Sequence, residues 1–233
     1  MKKHILYYTL VYLFALSTNA QLRPSFLARL SSGVAIPSTN FFTENFEGTG
    51  YDNSNANGWS ESDTGADKDF TGPGPVQGSQ SLIISNTPNS CILSASFSAK
   101  TTVYFKLRFR VNAQDNSPDI LTLAVGGTNQ FKASVQADTR FFRVKNLGET
   151  LDSVSAVSLA TDYYMWGQFG VGNGGNGISK IWANTVNDKL SSPITVSITN
   201  GDCIAAVNTI TIRAGIAGIV VWDNIQLSVT EIL

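Results

Sequence analysis

In TVYFKLRFRVN, residues 102–112, apolar and polar side chains alternate without a break. Its odd-numbered residues are all apolar, and its even-numbered residues include a tyrosine and three basic side chains. A period of two predicts a β-strand with one buried and one exposed face. The exposed face carries Lys106, Arg108 and Arg110, which either meet an acidic glycan or lie in solvent.

Shorter runs of the same kind fill the rest of the chain, and no stretch of useful length has a helix period. Turn-rich segments with Gly and Asn separate the runs, as expected for antiparallel strands. The sequence therefore predicts an all-β chain that forms an antiparallel β-sandwich of the jelly-roll type. The other predicted strands are Phe41–Phe46, Ser81–Ser85, Ile92–Phe97, Leu121–Val125, Phe131–Val135, Phe141–Lys145, Tyr163–Phe169, Ile178–Asn184, Ile194–Ile198, Thr209–Ile212 and Ile219–Val229.

The amino terminus is typical of an export signal. Lys2 and Lys3 precede the apolar run Ile5 to Leu16, and Thr18 and Ala20 place small residues before a cleavage site. Because the run is shorter than the about 20 residues of a membrane span, we predict no membrane span. Residues 1–20 are thus predicted to be a signal peptide, and the mature protein to be secreted or exposed at a cell surface.

Residues 21–40 are predicted to form a linker, and residues 41–233 one sandwich domain. The 16 Lys and Arg residues nearly balance the 17 Asp and Glu residues. This balance leaves no basic footprint for nucleic acid, so a nucleic-acid partner is not expected.

The only histidine, His4, lies in the predicted signal peptide. The mature chain therefore lacks the imidazole that Ser-His-Asp catalysis, Cys-His catalysis and His-ligated zinc require. A glycosidase with two carboxylates needs no histidine. Its candidate pairs, Glu61 with Asp63 and Asp67 with Asp69, lie in a polar stretch where acidic side chains are usually just solvated. We expect no catalytic residue.

Cys91 and Cys203 are the only cysteines, and disulfides persist outside the cell. A bridge between them would close a long loop and stabilise the fold by about 3–5 kcal/mol. The sequence predicts this disulfide, with two free buried thiols as the alternative.

Asp223 interrupts the apolar alternation of the last strand. Strict alternation places its carboxylate on one face with Val221 and Ile225, where an unpaired charge is costly. A structural calcium ion would offset the charge, and Glu47 is a candidate second ligand. A bulge that turns Asp223 outward, or hydrogen bonds to the carboxylate, would serve as well.

Aromatic side chains are the candidate sugar-stacking platforms. In a sandwich most such residues fill the core, but alternation gives Trp182 the strongest case for exposure. The candidate ligand-binding residues are Trp182, Tyr164, Trp166 and Trp59.

Several short motifs are spread over most of the predicted domain: Phe46–Gly48, Asp69–Thr71, Gly78–Leu82, Asp162–Trp166, Gly172–Gly177, Ile181–Ala183 and Val221–Ile225. Together they resemble the concanavalin A-like, or laminin-G-like, jelly-roll domains. This resemblance implies two curved antiparallel sheets with the first and last strands adjacent, and it implies that calcium and a glycan or protein ligand are frequent. The catalytic members carry a Glu-x-Asp-x-x-Glu or Glu-x-Asp-x-Glu strand, or use His, Tyr and Arg as lyases; this chain lacks the strand and the mature His. Carbohydrate-binding jelly rolls that start with Phe-Glu and end with Asp-Asn or Asp-Asp match the two termini of this domain nearly as well.

The resulting functional prediction is a secreted, non-enzymatic domain that binds a glycan or surface polysaccharide, or mediates adhesion. A structural surface or particle protein, which would contact another surface protein, is the main alternative. A glycan hydrolase or lyase with a carboxylate or Tyr base is the weaker one.

Overall fold

The computed structural model describes residues 39–47, 51–52, 55–56, 59–61, 67–69, 80–85, 91–113, 116–191, 193–215 and 218–232. These residues belong to one compact unit, Thr39–Leu233. The predicted signal peptide and nearly all of the predicted linker lie outside the described residues, so both stay predictions. No α-helix in the described part of the chain has the length and hydropathy that a membrane span needs.

The secondary structure of the described residues consists of β-strands, as predicted. In chain order they are β1 (Asn40–Glu44), β2 (Tyr51–Asp52), β3 (Asn55–Ala56), β4 (Ser60–Glu61), β5 (Asp67–Asp69), β6 (Leu82–Ser85), β7 (Ile92–Lys100), β8 (Thr102–Ala113), β9 (Asp119–Val125), β10 (Thr128–Val135), β11 (Phe141–Lys145), β12 (Thr150–Ala156), β13 (Asp162–Gly170), β14 (Gly172–Asn184), β15 (Ile194–Cys203), β16 (Val207–Arg213) and β17 (Ile219–Ser228).

Two antiparallel sheets form the sandwich, which confirms the predicted fold class. The larger sheet has the order β15-β14-β13-β8-β17-β6-β5, with β1 also paired to β17. The smaller sheet has the order β12-β11-β10-β9-β16-β7-β4. The first and last strands are therefore neighbours, and strand β8, which contains the alternating stretch 102–112, lies in the middle of the larger sheet.

The core lies between the two sheets and is rich in aromatic rings. Phe105 and Phe109 of β8 are buried and make edge-on contacts with Phe131 and Phe142 of the smaller sheet, at centroid distances of 5.4 and 5.8 Å. Each buried ring contributes about 1.5–3 kcal/mol relative to exposure. The indole nitrogen of Trp222 donates a hydrogen bond across the core to the carbonyl of Ile120, at 2.9 Å.

Strand β12 (Thr150–Ala156) was not predicted. All but one of its side chains are exposed, and it forms the outer edge of the smaller sheet. Because neither face of this strand is buried along its length, its sequence has no apolar alternation to detect.

The predicted disulfide is not formed in this structure, in which Cys91 and Cys203 are free and buried. Cys91 precedes a strand of the smaller sheet, whereas Cys203 ends a strand of the larger one. The Cys203 thiol instead lies 3.4 Å from the hydroxyl of Ser179. Burial raises the pKa of Cys203, so this thiol stays protonated at neutral pH.

Candidate functional site

The face of the larger sheet that points away from the core carries a ladder of polar and aromatic side chains. Strands β8 and β13 pair without a register shift, so that each outward residue of one strand is opposite an outward residue of the other. The outward position predicted for the polar residues of β8 is confirmed, because the core contains only its odd-numbered side chains. The pairs are Tyr104 with Gln168, Lys106 with Trp166, Arg108 with Tyr164, and Arg110 with Asp162.

Two of these pairs are cation–π contacts that lie side by side. The ammonium nitrogen of Lys106 is 5.2 Å from the ring centroid of Trp166, and the guanidinium carbon of Arg108 is 4.7 Å from that of Tyr164. The two rings stack at 5.9 Å with an angle of 25° between their planes. Contacts of this kind hold long basic side chains in place over the sheet.

Lys106 has an altered acidity. Burial lowers the pKa of its ammonium group, because the charged form loses solvation. A lysine of lowered pKa is a stronger candidate for proton transfer than a solvated one, since more of it is neutral at a given pH.

Arg110 and Asp162 close one end of the ladder. They form an ion pair at 3.0 Å, and a second oxygen of Asp162 lies 3.8 Å from Arg108. Asp162 therefore lies beside both guanidinium groups at this end of the ladder, and Asp223 of β17 is the cross-strand partner of Arg108.

A β-bulge in β17 shapes the neighbouring surface. Asn224 has the left-handed backbone conformation, with φ 50°, and the pairing of β17 with β8 shifts between Asp223 and Gln226. Trp222 before the bulge and Ile225 after it both point into the core. Asp223, next to the inward Trp222, points to the outer face, and the extra residue Asn224 returns Ile225 to the core.

The prediction that Asp223 shares a face with Ile225 is therefore wrong. The alternative prediction, a bulge with Asp223 pointing outward, is confirmed. Asp223 is buried at 2 % exposure and accepts a hydrogen bond from the hydroxyl of Ser81 at 2.8 Å. It is also the cross-strand partner of Arg108. These polar neighbours offset its charge on a face that the core does not reach.

A recess of about 270 Å³ opens between the ladder and the bulge. Four elements contribute to it: β8, β13, β17 and the loop between β14 and β15. Its lining consists of Lys106, Leu107, Arg108, Tyr164, Asn187, Asn224 and Gln226.

The lining of this recess combines two cations, three amides and a phenol, and none of these side chains is a carboxylate. Hydrogen-bond donors in a partly buried, positively charged recess suit an anionic ligand. Among the described residues of this lining, no pair of carboxylates is present that could carry out a two-carboxylate hydrolysis. A larger recess of about 390 Å³ lies between the edge strands β12 and β15, and among the described residues that line it Glu149 is the only one with an ionisable side chain.

The structure brings three of the four predicted ligand-binding aromatics to this outer face. Tyr164 lines the recess, and Trp166 lies beside it with only 1 % exposure under Lys106. Trp59 is elsewhere: it is buried against Phe42 and Phe46, and its indole nitrogen donates to a carboxylate oxygen of Glu44.

The third, Trp182, is covered on one side. The ammonium nitrogen of Lys189, in the loop between β14 and β15, is 4.0 Å from the ring centroid of Trp182. Lys189 has a side-chain exposure of 8 % and forms an ion pair with Glu231 near the carboxyl terminus. Sequence reasoning missed Lys189 because no pattern in a loop indicates which side chain folds back over a strand.

The two predicted calcium ligands contact neighbouring residues. Glu47 accepts a hydrogen bond from the backbone of Gln80, and Asp223 accepts one from Ser81. Calcium takes six to eight oxygens, and the described residues contain no group of three or more Asp, Glu, His or Cys that could hold a metal. Calcium binding stays a prediction.

Of the candidate glycosidase pairs, Asp67 and Asp69 lie two residues apart in β5, at the edge of the larger sheet, and catalysis by them is not tested. Glu61 ends β4 in the smaller sheet. Asp63 lies outside the described residues.

Comparison with solved structures places the fold among known β-sandwiches. A sialidase aligns with a TM-score of 0.58 and 10 % identity, over 82 % of this chain and 19 % of the sialidase chain. An endo-β-1,4-glucuronan lyase from the fungus Trichoderma reesei aligns with a TM-score of 0.53 and 13 % identity, over 82 % of this chain and 96 % of the lyase. The marine PL-14 alginate lyase from Aplysia kurodai aligns with a TM-score of 0.53 and 8 % identity, over 71 % of this chain and 87 % of the lyase.

This chain thus spans about a fifth of the sialidase and nearly the whole of each lyase. At such low identities the likeness establishes the fold alone. No protein-family model matches the sequence, and a search of curated proteins finds no match either.

The prediction of a non-enzymatic domain is wrong. It rested on the lack of histidine and of a carboxylate-bearing catalytic strand, yet two enzymes, both lyases, have this sandwich. The outer face also combines a phenol with a lysine of lowered pKa, and both groups transfer protons without an imidazole.

Proposed function

We propose that the protein is a secreted polysaccharide lyase with a concanavalin A-like sandwich. It binds an acidic glycan across the outer face of the larger sheet and cleaves it by β-elimination at the recess. The observation that carries this proposal is the recess lining, which combines Arg108, Tyr164 and a lysine of lowered pKa, Lys106, without a carboxylate.

β-Elimination requires a positive group that neutralises the substrate carboxylate, and an acid and a base that transfer protons. The recess contains side chains of each kind. The substrate is a uronate, since the proton to be removed from C5 is acidic only when a carboxylate is attached to the same carbon. Neutralising that carboxylate stabilises the carbanion-like transition state, which is the role proposed for Arg108. The two lyases that share the fold are named for glucuronan and alginate, and this agrees with an acidic glycan.

The proton transfers are assigned to the two remaining ionisable groups. Neutral Lys106 takes the C5 proton, the C5–H electron pair forms the C4=C5 double bond, and the bond between C4 and the glycosidic oxygen breaks. The leaving oxygen takes the proton of the Tyr164 hydroxyl. Transfer of the proton from Lys106 to the tyrosinate restores both groups, so neither water nor an oxidant is consumed.

Secretion rests on the predicted signal in residues 1–20, and it would bring the protein to polysaccharides outside the cell. The ladder on β8 and β13 extends the binding face beyond the recess, so a chain of several sugars can lie along it.

Cleavage of uronate polymers by the wild type and by substituted proteins tests this proposal. Lys106→Gln and Tyr164→Phe are each expected to lower the rate at least about 100-fold, the usual contribution of a positioned acid or base. Lys145→Gln is the matched control, because it removes the same charge from an exposed position in β11 of the smaller sheet and is expected to leave the rate unchanged. Equal losses in all three variants would contradict the assigned roles, and full activity of Lys106→Gln would contradict the base.

A further inference from the structure

Strand β15 is an end strand of the larger sheet, and its sequence lacks the features that usually keep such a strand from pairing further. An end strand presents backbone N–H and C=O groups to a further strand, so proteins commonly protect it with charges, proline, bulges or short length. Residues 194–200 read ITVSITN, without a charge or a proline. Over Ile194–Ile198 the strand pairs with β14 without a register shift. This segment therefore offers a regular edge to a partner strand.

The other end strands of the two sheets, as far as the structure describes them, have such protection. Strand β5, Asp67–Asp69, carries a charge at every position. Strand β4 is two residues long and ends in Glu61. Strand β12 contains Asp152, and its pairing with β11 shifts in register. Among these four strands, β15 is therefore the one best suited to pair with a further strand.

The sequence of this edge indicates the partner. Residues 194–198, ITVSI, are nearly palindromic about Val196. Two copies of the strand can thus pair antiparallel about a twofold axis at Val196, and a twofold interface requires such self-complementarity. Ile194 then lies opposite Ile198 of the second copy on the core side. On the outer side Thr195 lies opposite Ser197. Both combinations are favourable cross-strand pairs, and no like charges meet.

The burial of these side chains agrees with this pairing. The isoleucine and valine side chains of the segment belong to the core or pack against it, whereas its two hydroxyl side chains are exposed. A second copy in this register would extend the core and the polar outer face without moving any side chain to the other side. It would also cover the recess between β12 and β15, where Leu151 is 45 % exposed.

We propose that two copies of this protein form a dimer through β15, in which an antiparallel pair of β15 strands joins the two larger sheets into one. The twofold axis passes through the pair of Val196 residues. The partner is a second copy of the chain rather than an unrelated peptide, because the edge is complementary to itself. This inference does not depend on the proposed lyase activity.

Charges on the outer side of β15 test this register. Thr195→Lys with Ser197→Lys places lysine opposite lysine twice across the axis. Thr195→Lys with Ser197→Glu instead places lysine opposite glutamate twice. Both positions are exposed, so each copy is expected to keep its fold, which circular dichroism checks.

Sedimentation equilibrium of the full chain at several concentrations measures the dimer dissociation constant. The wild type is expected to reach twice the mass of one chain as its concentration rises. The lysine–glutamate variant is expected to dimerise at least about 10-fold more tightly than the lysine–lysine variant. The matched control is Ser96→Lys with Ser98→Lys, which adds the same two charges at exposed positions of β7 in the smaller sheet. It is expected to leave the dissociation constant of the wild type unchanged.

A wild type that stays monomeric up to about 100 µM would overturn the proposal. Equal dissociation constants for the two charge variants of β15 would overturn the register about Val196. A dimer that the control in β7 weakens as much as the lysine–lysine variant does would overturn the assignment of the interface to β15. Failure of the protein to cleave uronate polymers would contradict the proposed function and leave the dimer standing.

Discussion

Gly167 offers a stringent test of the packing that supports the ladder. It lies in β13 opposite Phe105 of β8, between Trp166 and Gln168 on the chain. A Cβ on Gly167 would lie 1.8 Å from the Cζ of Phe105 and within 2.5 Å of two further ring atoms. The ring of Phe105 therefore occupies the space of the missing side chain, and Gly167→Ala must displace a fully packed ring.

Two typical values bound the loss of stability that Gly167→Ala is expected to cause. Overpacking a core by one methyl group typically costs about 1–3 kcal/mol, and complete loss of a buried Phe costs about 3–5 kcal/mol. Phe105 is 1 % exposed and contacts Phe131, so little room exists for relaxation. We expect Gly167→Ala to lower the free energy of unfolding by about 3 kcal/mol, or the Tm by roughly 6–12 °C for a domain of this size.

Urea unfolding measures this change, and a double variant tests its cause. Phe105→Ala alone leaves a cavity, which the methyl group of Gly167→Ala would then partly fill. The double variant is thus expected to be at least as stable as Phe105→Ala, a departure from additivity of more than about 1 kcal/mol. Gly148→Ala, whose Cβ meets no atom closer than 3.9 Å, is the control and should change stability by less than about 0.5 kcal/mol. Additive losses would refute the steric argument.

Three further predictions concern the outer face. Lys189→Ala should increase the acrylamide quenching of tryptophan fluorescence, because it uncovers Trp182 while the other indoles stay at 8 % exposure or less; unchanged quenching would contradict the covering contact. Because burial lowers the pKa of Lys106, kcat/KM and stability should both rise with pH as the pH passes through the lowered pKa. Lys106→Arg should lose the rise in activity, and a profile that falls over this range would exclude Lys106 as the base. If Asp223 binds calcium, a chelator should lower the Tm of the wild type but not of Asp223→Ala. An unchanged Tm of the wild type in excess chelator would contradict that prediction.

The sequence predicted the fold well wherever one face of a strand is buried. The alternation in β8 identified both its core face and its outward Lys106 and Arg108, because the side-chain period of a strand is visible in one segment alone. Strand β12 was missed because its side chains are nearly all exposed. The outward turn of Asp223 could be named only as an alternative, since nothing in the sequence fixes a left-handed residue at Asn224.

The recess was harder to predict because it is assembled from separated segments. Tyr164 was selected as a sugar-stacking aromatic, but its pairing with Arg108 depends on the register of two strands about 50 residues apart. The lowered pKa of Lys106 depends on burial, which composition does not reveal. Absence of histidine suggested absence of catalysis, but that inference was too strict, because enzymes share this fold and lysine and tyrosine side chains can also act as acids and bases.

The proposed activity is cleavage of an acidic glycan by elimination. Mass spectrometry of the products from a purified glucuronate oligosaccharide distinguishes elimination from hydrolysis. Elimination predicts two fragments whose masses add up to the mass of the substrate, one of them with a double bond that absorbs ultraviolet light. Fragments that together gain one water, or an intact substrate after long incubation with folded protein and a range of uronate oligosaccharides, would contradict the account.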